Sequence, residues 1–283
     1  MTGFAAIVVL HRSREHFAAL LASDFAPGEL VVVDTGPDDG GEALARAHGA
    51  TTLVRRDNPG FGAANNLALR HVTKPVTVLV NPDVVVRGDA LERLVARVRP
   101  GELHAPRLLN PDGSVQRSAH PLPGTLGAFL PALIHPPLLP AALRHRAEPY
   151  RAPTSRTVGW AIGACLAART DTLRALGPFD ERIHLYAEDM DLCLRAGRTI
   201  YHPDIALTHT GAHSTGAERF EELARRRREV VARNRGRAAL RRDDAAQLLT
   251  FATRALIKRP NDRERAQLDA LLKARGPGAG PGL

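Results

Sequence analysis

Cysteine is nearly absent from this chain of 283 residues, which contains only Cys165 and Cys193. These two form neither a CxxC pair nor a metal-ligand spacing, so a disulfide framework and a cysteine-rich metal site are excluded. The composition predicts a reducing cytosol as the compartment. Aromatic residues are also sparse, at 4%, and no recognised nucleic-acid motif is present. We therefore expect no nucleic-acid partner.

A long apolar run is missing as well. The apolar segment from Thr125 to Leu143 is interrupted by four prolines, whereas a membrane-spanning helix needs about 20 apolar residues in succession. We predict no transmembrane helix. The first residues, M-T-G-F-A-A-I-V-V-L-H, lack a positively charged segment and a cleavage site. This pattern is typical of a first strand rather than a signal peptide.

Positive charge exceeds negative charge by nine. The excess is uneven, because residues 218–259 contain 13 Lys and Arg against 6 Asp and Glu. Such a segment attracts phosphates of an anionic membrane, a nucleic acid or a phosphorylated substrate. A solvated helix face is the equally weighted alternative. Residues 275–283, rich in Gly and Pro, are predicted to be a disordered tail.

Strands and helices alternate in the first hundred residues. Short apolar runs predict four strands, and helical spacing follows each of them; the runs are Ala5–Leu10, Leu30–Val33, Thr51–Val54 and Val76–Val80. Because these strands are apolar on both faces, the pattern predicts an α/β fold with a parallel sheet between two helical layers.

The pattern is weaker after Pro100, and residues 120–153 are interpreted as a loop or broken helices. Strand character returns at 158–168 and 205–208, and helices are predicted at 170–176, 187–196, 217–242 and 245–258. The length suits one large α/β domain with extra helices, or two small domains.

Polar residues follow the predicted strands at their carboxyl ends, where ligands bind in such sheets. They are His11, Asp34, Asn81 and Asp83. Asp34 enters a Gly/Asp turn and suits a contact with a ribose or a base, with an Asx-turn or helix cap as the alternative. In Asn81-Pro82-Asp83, one carboxylate at a strand end suits Mg²⁺ or Mn²⁺, and a type I turn is the alternative.

A second group lies in turns and at a helix start. The turn at 58–62 precedes a helix and suits a diphosphate, or is simply a tight turn. Glu188, Asp189 and Asp191 open a helix among apolar neighbours, which should raise a carboxyl pKa and make a better base. Capping, and an ion pair between Asp191 and Arg195, are the alternatives. His209 and His213 follow a strand and suit a metal ligand or a phosphate contact.

These segments, taken in order, resemble inverting family-2 glycosyltransferases with the GT-A fold. The similarity rests on D-T-G-P-D-D-G, N-P-G-F-G-A-A-N-N, L-V-N-P-D and Y-A-E-D-M-D-L-C-L-R, within a match from about Ala5 to Gly216. The shorter motifs P-D-G-S-V, V-G-W and A-H-S-T-G are most similar to bacterial rhamnosyltransferases of that family.

The resemblance implies a GT-A domain at 1–216, with a nucleotide-sugar half at 1–100 and an acceptor half at 101–216. Basic helices follow at 217–274. It implies roles for twelve residues. Asp189 would be the general base beside Glu188; Asp83 and His209 would bind Mg²⁺ or Mn²⁺; Trp160 and Gly163 would contact the acceptor; His11, Asp34, Asp39, Gly60, Asn65 and Asn81 would contact the nucleotide sugar.

The implied reaction moves a sugar, with L-rhamnose from dTDP-rhamnose favoured, to a glycan or polyprenyl-diphosphate-linked acceptor in cell-wall synthesis. The enzyme would then be cytoplasmic and peripheral at the inner face of the membrane, docked there by the basic helices and the segment 125–143. The alternatives are a non-catalytic basic protein that binds nucleic acid or membrane, and a nucleotidyltransferase. The latter lacks a glycine-rich, lysine-containing start.

Overall fold

A computed structural model describes residues 3–134, 138–211, 217–257 and 262–275. The strands in these ranges are β1 Ala5–Leu10, β2 Glu29–Asp34, β3 Thr51–Val54, β4 Val76–Val80, β5 Val84–Val85, β6 Leu103–Leu109, β7 Ala119–His120, β8 Arg156–Val158, β9 Trp160–Ala161, β10 Cys165–Arg169 and β11 Thr199–His209. The helices are α1 Arg14–Leu21, α2 Gly41–Ala47, α3 Phe61–Leu69, α4 Ala90–Val95, α5 Leu126–Leu133, α6 Ala141–Ala147, α7 Thr170–Leu176, α8 Glu188–Ala196, α9 Ala217–Ile257 and α10 Asp262–Ala274.

The central sheet has the strand order β3-β2-β1-β4-β10-β6-β11-β5, with β8 paired to β11. Strands β1 to β4 are parallel, as the sequence predicts, and Leu10 lies opposite Asp34. The second half of the sheet is mixed, because β10 runs antiparallel between β4 and β6. The mostly parallel arrangement therefore holds for the first half and not for the whole sheet.

Alternate residues of β1 face opposite layers of the protein. Val8 and Leu10 pack in one core cluster with Phe17 of α1 and Leu91 of α4. Their neighbours Ile7 and Val9 pack in the other cluster, with Ala64 of α3 and Leu173 of α7. This arrangement confirms the prediction that helices cover both faces of the sheet.

Strand β6 lies within the sheet although the sequence did not predict it. Its segment, L-H-A-P-R-L-L, contains Pro106, which cannot donate a ladder hydrogen bond. Pro106 lies opposite His202, and the register of β11 shifts between His202 and Ala206. The irregularity accommodates the proline. Helices α5 and α6 lie in the segment that the sequence predicts as a loop or broken helices, and α10 lies in the region 217–274 that is predicted to form basic helices.

Helix α9 reverses direction at Gly236, whose φ of 79° and ψ of 168° are not helical. Arg227 and Asp243 are 16 residues apart and would be separated by about 24 Å in a straight helix, yet their side chains are 2.9 Å apart. The two halves of residues 217–257 therefore fold back on each other, and we call them the α9 hairpin. The predicted break near Asp243 was wrong, because Gly236 alone supplies the left-handed φ.

The α9 hairpin packs against α8. Val230 and Val231 form a small core with Ile183, Ala187 and Met190. Within the described ranges, no helix combines the length and apolar character required to cross a membrane.

Candidate active site

The carboxyl ends of β2, β4 and β11 meet at one edge of the sheet. Asp34 is the last residue of β2, Asp83 follows β4, and His209 ends β11. The chain order of the strands does not reveal this proximity, because β11 pairs with β6 and β5 rather than with its sequence neighbours. The structure therefore brings the sequence-predicted acids of the first half to the same edge as His209.

Asp34 is buried and already has partners. Its Oδ1 accepts a hydrogen bond from the Gly36 amide at 3.1 Å, which is an Asx-turn. Its Oδ2 lies 3.0 Å from the Arg56 guanidinium, and that interaction raises the pKa of Arg56. Asp34, which the sequence predicts as a ligand-binding residue, is thus ion-paired at the sheet edge. The sequence did not predict the role of Arg56.

His11 and Asp39 flank this turn. Asp39 accepts hydrogen bonds from the amides of Arg14 and Gly41, at 3.2 and 2.9 Å, and so joins the starts of α1 and α2. The exposed His11 ring contacts the Thr35 hydroxyl at 3.3 Å. Both lie near Asp34, and their predicted contact with the nucleotide sugar stays a prediction.

Gly60 and Asn65 have structural partners in the protein. Gly60 has a φ of +96°, and a Cβ atom there would lie 2.5 Å from the His184 carbonyl oxygen. Asn65 is buried and donates a hydrogen bond to the Phe61 carbonyl of its own helix. These contacts explain both residues without a ligand, and their predicted contact with the nucleotide sugar stays a prediction.

Asp83 and His209 face each other at the sheet edge. Nε2 of His209 lies 3.3 Å from Oδ1 of Asp83. Burial raises the pKa of Asp83, but the neighbouring His209 outweighs burial and holds the pKa below its ordinary value. Oδ1 of Asp83 is buried beside Nε2 of His209, and Oδ1 of Asn81 is buried and has no hydrogen-bond partner.

A chain of hydrogen bonds orients the His209 ring. Nδ1 of His209 contacts Oε1 of Gln116 at 2.8 Å, and Gln116 in turn donates from Nε2 to Asn110 at 3.1 Å. The series continues from Asn110 to Ser114 and from Ser114 to Asp112. Because the amide of Gln116 donates onward, its oxygen accepts from His209, which places a proton on Nδ1 and directs Nε2 toward Asp83.

This arrangement fits a divalent cation. In the neutral His209 ring, Nε2 and the Asp83 carboxylate are two acceptors facing each other, and a cation satisfies both. Within the described residues, no group of three or more His, Cys, Asp and Glu side chains forms a complete metal cage. Mg²⁺ and Mn²⁺ commonly take one or two protein carboxylates and complete their coordination with substrate phosphates.

Asp189 lies next to this metal-binding edge. Its Oδ2 accepts a hydrogen bond from the Gly163 amide at 2.9 Å. The adjacent Ala164 carbonyl accepts from the Asn81 amide, also at 2.9 Å. One short backbone connection therefore joins Asp189 to the Asn81-Pro82-Asp83 turn, and the two predicted acidic positions lie on either side of it.

Burial raises the pKa of Asp189, although backbone amides of Gly163 and Met190 oppose the rise. Burial, followed by the charge of Asp189, raises the pKa of Glu188. Oε2 of Glu188 is buried without a partner. Asp191, by contrast, pairs with Arg195 at 2.7 Å, as the i,i+4 spacing suggests. Glu188 and Asp189 thus have raised pKa values that suit proton transfer, whereas Asp191 is held in an ion pair.

Backbone strain concentrates around this edge. Four non-glycine residues in the described ranges have left-handed φ angles: Arg12 (51°), Asn58 (45°), Tyr186 (69°) and Ala187 (65°). Arg12 follows β1, Asn58 precedes α3, and the other two lead directly into Glu188. Such conformations are unfavourable for residues with a Cβ atom and cluster at functional sites.

Trp160 and Gly163 take different positions. Gly163 contacts the Asp189 side chain itself, since a Cβ atom there would lie 3.3 Å from the Asp189 Cβ. Trp160 stacks on His120 with ring centroids 4.0 Å apart, and its Nε1 is buried without a partner. It lines a cavity of about 140 Å³ between α5 and the α9 hairpin. His213 lies outside the described residues.

Sequence reasoning missed three residues that organise the site. Arg56 pairs with Asp34, Gln116 orients His209, and Asn66 binds the backbone of Phe179 through both its amide atoms. Asn66 stands in the N-P-G-F-G-A-A-N-N motif, and Gln116 directly follows P-D-G-S-V. Their position within or beside these motifs is the signal by which the sequence could have indicated them.

Comparison with known proteins identifies relatives of this chain. The model for glycosyl transferase family 2 matches residues 12–117. The N-acetylglucosaminyl-diphospho-decaprenol L-rhamnosyltransferase of Mycobacterium tuberculosis H37Rv is 30% identical over 230 residues, which cover 73% of this chain and 74% of the relative. The low-salt glycan biosynthesis hexosyltransferase Agl10 of Haloferax volcanii is 23% identical, covering 68% of this chain and 61% of that protein.

Solved structures confirm the α/β fold of GT-A type. The mannosyltransferase PcManGT of Pyrobaculum calidifontis, in complex with GDP-Man and Mn²⁺, superimposes with a TM-score of 0.58 at 17% identity, covering 95% of this chain and 86% of that one. Residues 1–349 of S. aureus TarS, in complex with UDP-GlcNAc, give a TM-score of 0.51 at 14% identity, covering 95% and 79%.

Proposed function

Since this chain belongs to glycosyl transferase family 2, we propose that it transfers L-rhamnose from dTDP-rhamnose to a hydroxyl of a polyprenyl-diphosphate-linked glycan. The enzyme class follows from the family, and the name of the mycobacterial relative supports L-rhamnose as the sugar and a polyprenyl-diphosphate-linked acceptor. The dTDP nucleotide is what the resemblance of the sequence motifs implies. The observation that carries the proposal is that hydrogen bonds of the adjacent residues Gly163 and Ala164 join Asp189 to the Asn81-Pro82-Asp83 turn. A donor diphosphate and an acceptor hydroxyl need these two groups at one place.

In this mechanism Asp189 accepts the proton of the acceptor hydroxyl as that oxygen attacks the anomeric carbon, which inverts the configuration. Its raised pKa makes it a stronger base than an exposed aspartate. Gly163 holds the carboxylate by its amide, and Glu188 lies beside it. Asp83 and His209 would hold Mg²⁺ or Mn²⁺. Such an ion, when bound, stabilises the negative charge that develops on the departing diphosphate.

The cavity of about 140 Å³ supports a site for the acceptor diphosphate. Arg117, Arg254 and Trp160 line it, and Trp160 packs against the core that contains Met190, next to Asp189. Burial, followed by the charge of Arg117, lowers the pKa of Arg254, so a bound diphosphate would relieve a repulsion. We expect Arg254→Gln to raise the acceptor KM while the donor KM is unchanged.

An apolar tip beyond this cavity suits the lipid chain. Pro131 and Arg254 line the same cavity, and the residues that follow each are exposed: Leu133, Ile134, Leu256 and Ile257. Lys258 and Arg259 come next in the sequence. We propose that this tip docks on an anionic membrane surface and places the enzyme at the inner face of the membrane.

The four consecutive arginines of α9 do not serve this docking in the way their charge suggested. Arg225 and Arg226 pair with Glu222 and Glu229. Arg227 and Arg228 are paired as well, with Asp243 and Asp244 respectively. Leu256→Ser with Ile257→Ser should therefore reduce co-sedimentation with phosphatidylglycerol vesicles, whereas Leu272→Ser, an exposed leucine of α10, should not. Equal binding by both variants would contradict docking through the tip.

The experiment that tests the reaction is a thermal-shift screen of nucleotide sugars with and without Mn²⁺, followed by a transfer assay. We expect dTDP-rhamnose to give the largest shift, and only with metal. Product formation with N-acetylglucosaminyl-diphospho-polyprenol then tests the acceptor. A larger shift with UDP- or GDP-sugars would refute the donor, and transfer to the free sugar alone would refute the lipid acceptor.

A further inference from the structure

A second and larger cavity, of about 510 Å³, lies at the end of α8 that is remote from Asp189. The segment before α5, strand β8, the last turn of α8 and the reversal of α9 surround it. Leu122, Val158, Leu194 and Gly197 are among its lining residues. Its volume is typical of pockets that bind small molecules, which run from about 300 to 1,000 Å³. No step of the proposed reaction uses it.

The charge around this cavity has one sign. Arg146, Arg156 and Arg235 line it, and its lining in the described part of the chain includes no Asp or Glu. None of these three arginines forms an ion pair with a described residue, unlike the four consecutive arginines of α9. Three unneutralised guanidinium groups around one cavity form a site for an anion.

Arg156 has a hydrogen-bond donor that the protein does not satisfy. Its Nε is buried and has no hydrogen-bond partner. Burial, followed by the positive charge of Arg146, lowers the pKa of Arg156. A buried donor without an acceptor is unfavourable. An oxyanion between Arg146 and Arg156 would supply that acceptor and remove the repulsion.

We propose that this cavity binds the phosphate group of a soluble phosphate ester, through Arg146, Arg156 and Arg235. Arginine binds phosphate by paired, charge-assisted hydrogen bonds, and three arginines suit its double charge better than a single carboxylate. The apolar lining, with Leu122, Val158 and Leu194, accommodates the organic part of the ester.

The place of the cavity favours a soluble ligand over a lipid headgroup. It adjoins Asn234 and Arg235, beside the reversal of α9 at Gly236. The open end of the α9 hairpin is the other end, where Arg219 lies 5.2 Å from the Tyr186 ring near the candidate active site. Leu256 and Ile257 of the apolar tip belong to that open end, so this part of the tip and the cavity lie at opposite ends of the hairpin.

The test measures pyrophosphate affinity by isothermal titration calorimetry on the full chain in EDTA. We expect Arg156→Gln and the exposed Arg235→Gln to weaken pyrophosphate binding by about tenfold or more, because each removes charge-assisted hydrogen bonds. The matched control is Arg237→Gln, which removes an exposed arginine two residues away that does not line the cavity. Its affinity should stay within about twofold of the wild type.

Equal affinities in the wild type, Arg156→Gln and Arg235→Gln would overturn the proposal, since any pyrophosphate would then bind elsewhere, for example at the donor site. Arg235 is on the surface, so its variant keeps the test valid if Arg156→Gln does not fold. A vesicle arm separates the sources of phosphate. A loss of phosphatidylglycerol binding in Arg156→Gln would overturn the assignment to a soluble ligand.

Discussion

The sheet edge and the α9 hairpin differ in how far their buried polar groups are paired within the protein. At the edge, buried oxygens of Asn81 and Glu188 have no hydrogen-bond partner. In the hairpin, Arg227 and Arg228 lie against the buried carboxylates of Asp243 and Asp244, and of these carboxylate oxygens Oδ1 of Asp244 alone lacks a partner. Polar groups left unsatisfied in a folded protein are unfavourable unless a ligand completes them. This difference supports the proposal that the edge binds the substrate and that the hairpin has a structural role.

The largest effect should come from Asp189→Asn. Removing a general base reduces turnover by about 10²- to 10⁴-fold, while the amide isostere keeps the hydrogen bond from Gly163. Donor binding and the melting temperature should change little. A transfer assay measures turnover, a calorimetric titration measures donor binding, and thermal denaturation measures the melting temperature.

The matched control for that change is Asp191→Asn, two residues along the same helix. Asp191 binds Arg195 and Asn234, so this variant should lose stability and keep its transfer rate per folded molecule. If Asp189→Asn retained turnover, the base would have to be another group.

The next effect concerns the hairpin itself. Asp243→Asn breaks a buried ion pair and leaves the Arg227 charge without its partner, which costs about 3–5 kcal/mol of the free energy of unfolding. Arg225→Gln, in a pair that is half exposed, should cost less than about 1 kcal/mol. Urea denaturation of both variants checks the contrast. Similar losses would show that burial does not distinguish the two pairs.

A smaller effect is expected from Gln116→Leu, which removes the acceptor that holds Nδ1 of His209. Loss of such an outer partner weakens metal binding by about 10- to 100-fold. Mn²⁺ titration followed by calorimetry or electron paramagnetic resonance measures it. Gln247→Leu, at a glutamine of the α9 hairpin, is the control and should leave Mn²⁺ affinity unchanged. An unaltered affinity in Gln116→Leu would mean that His209 is not a ligand.

The smallest effect is a shift in pH dependence. Because the pKa of Asp189 is raised, the basic form is lost as the pH falls through a value above the ordinary aspartate range. The acid limb of kcat should lie at correspondingly high pH. Glu188→Gln should leave that limb in place, because burial rather than Glu188 raises the pKa of Asp189, whereas the charge of Asp189 raises the pKa of Glu188. A limb that moves to lower pH would show that a charged Glu188 contributes to the raised pKa of Asp189.

Much of the first half of the fold could be predicted because its signals are local. The strands at Ala5–Leu10, Thr51–Val54 and Val76–Val80 have the bounds that their apolar runs indicate. Strand β6 could not be predicted in this way. Its Pro106 argues against a strand, and only pairing with β11 and β10 on its two sides makes the strand stable.

The candidate site shows the same division. The acids Asp83, Glu188 and Asp189 were recognised from their motifs. The raised pKa of the buried carboxyl was also predicted, because the apolar neighbours of Asp189 in the sequence indicate burial. The roles of Arg56 and Gln116 could not be inferred, because each acts on a residue 22 or more positions away that only folding brings close.

The amino-acid sequence by itself determined the alternating strands and helices of the first hundred residues and the motifs that identify the family, because both are encoded in short contiguous segments. The tertiary structure decided which charged side chains are paired and with which partner. Asp243 neutralises Arg227 only because Gly236 reverses α9. Asp83 faces His209 because β4 and β11 end at the same edge of the sheet. Partners of this kind are set by chain reversal and strand pairing, which bring together residues that are distant along the chain.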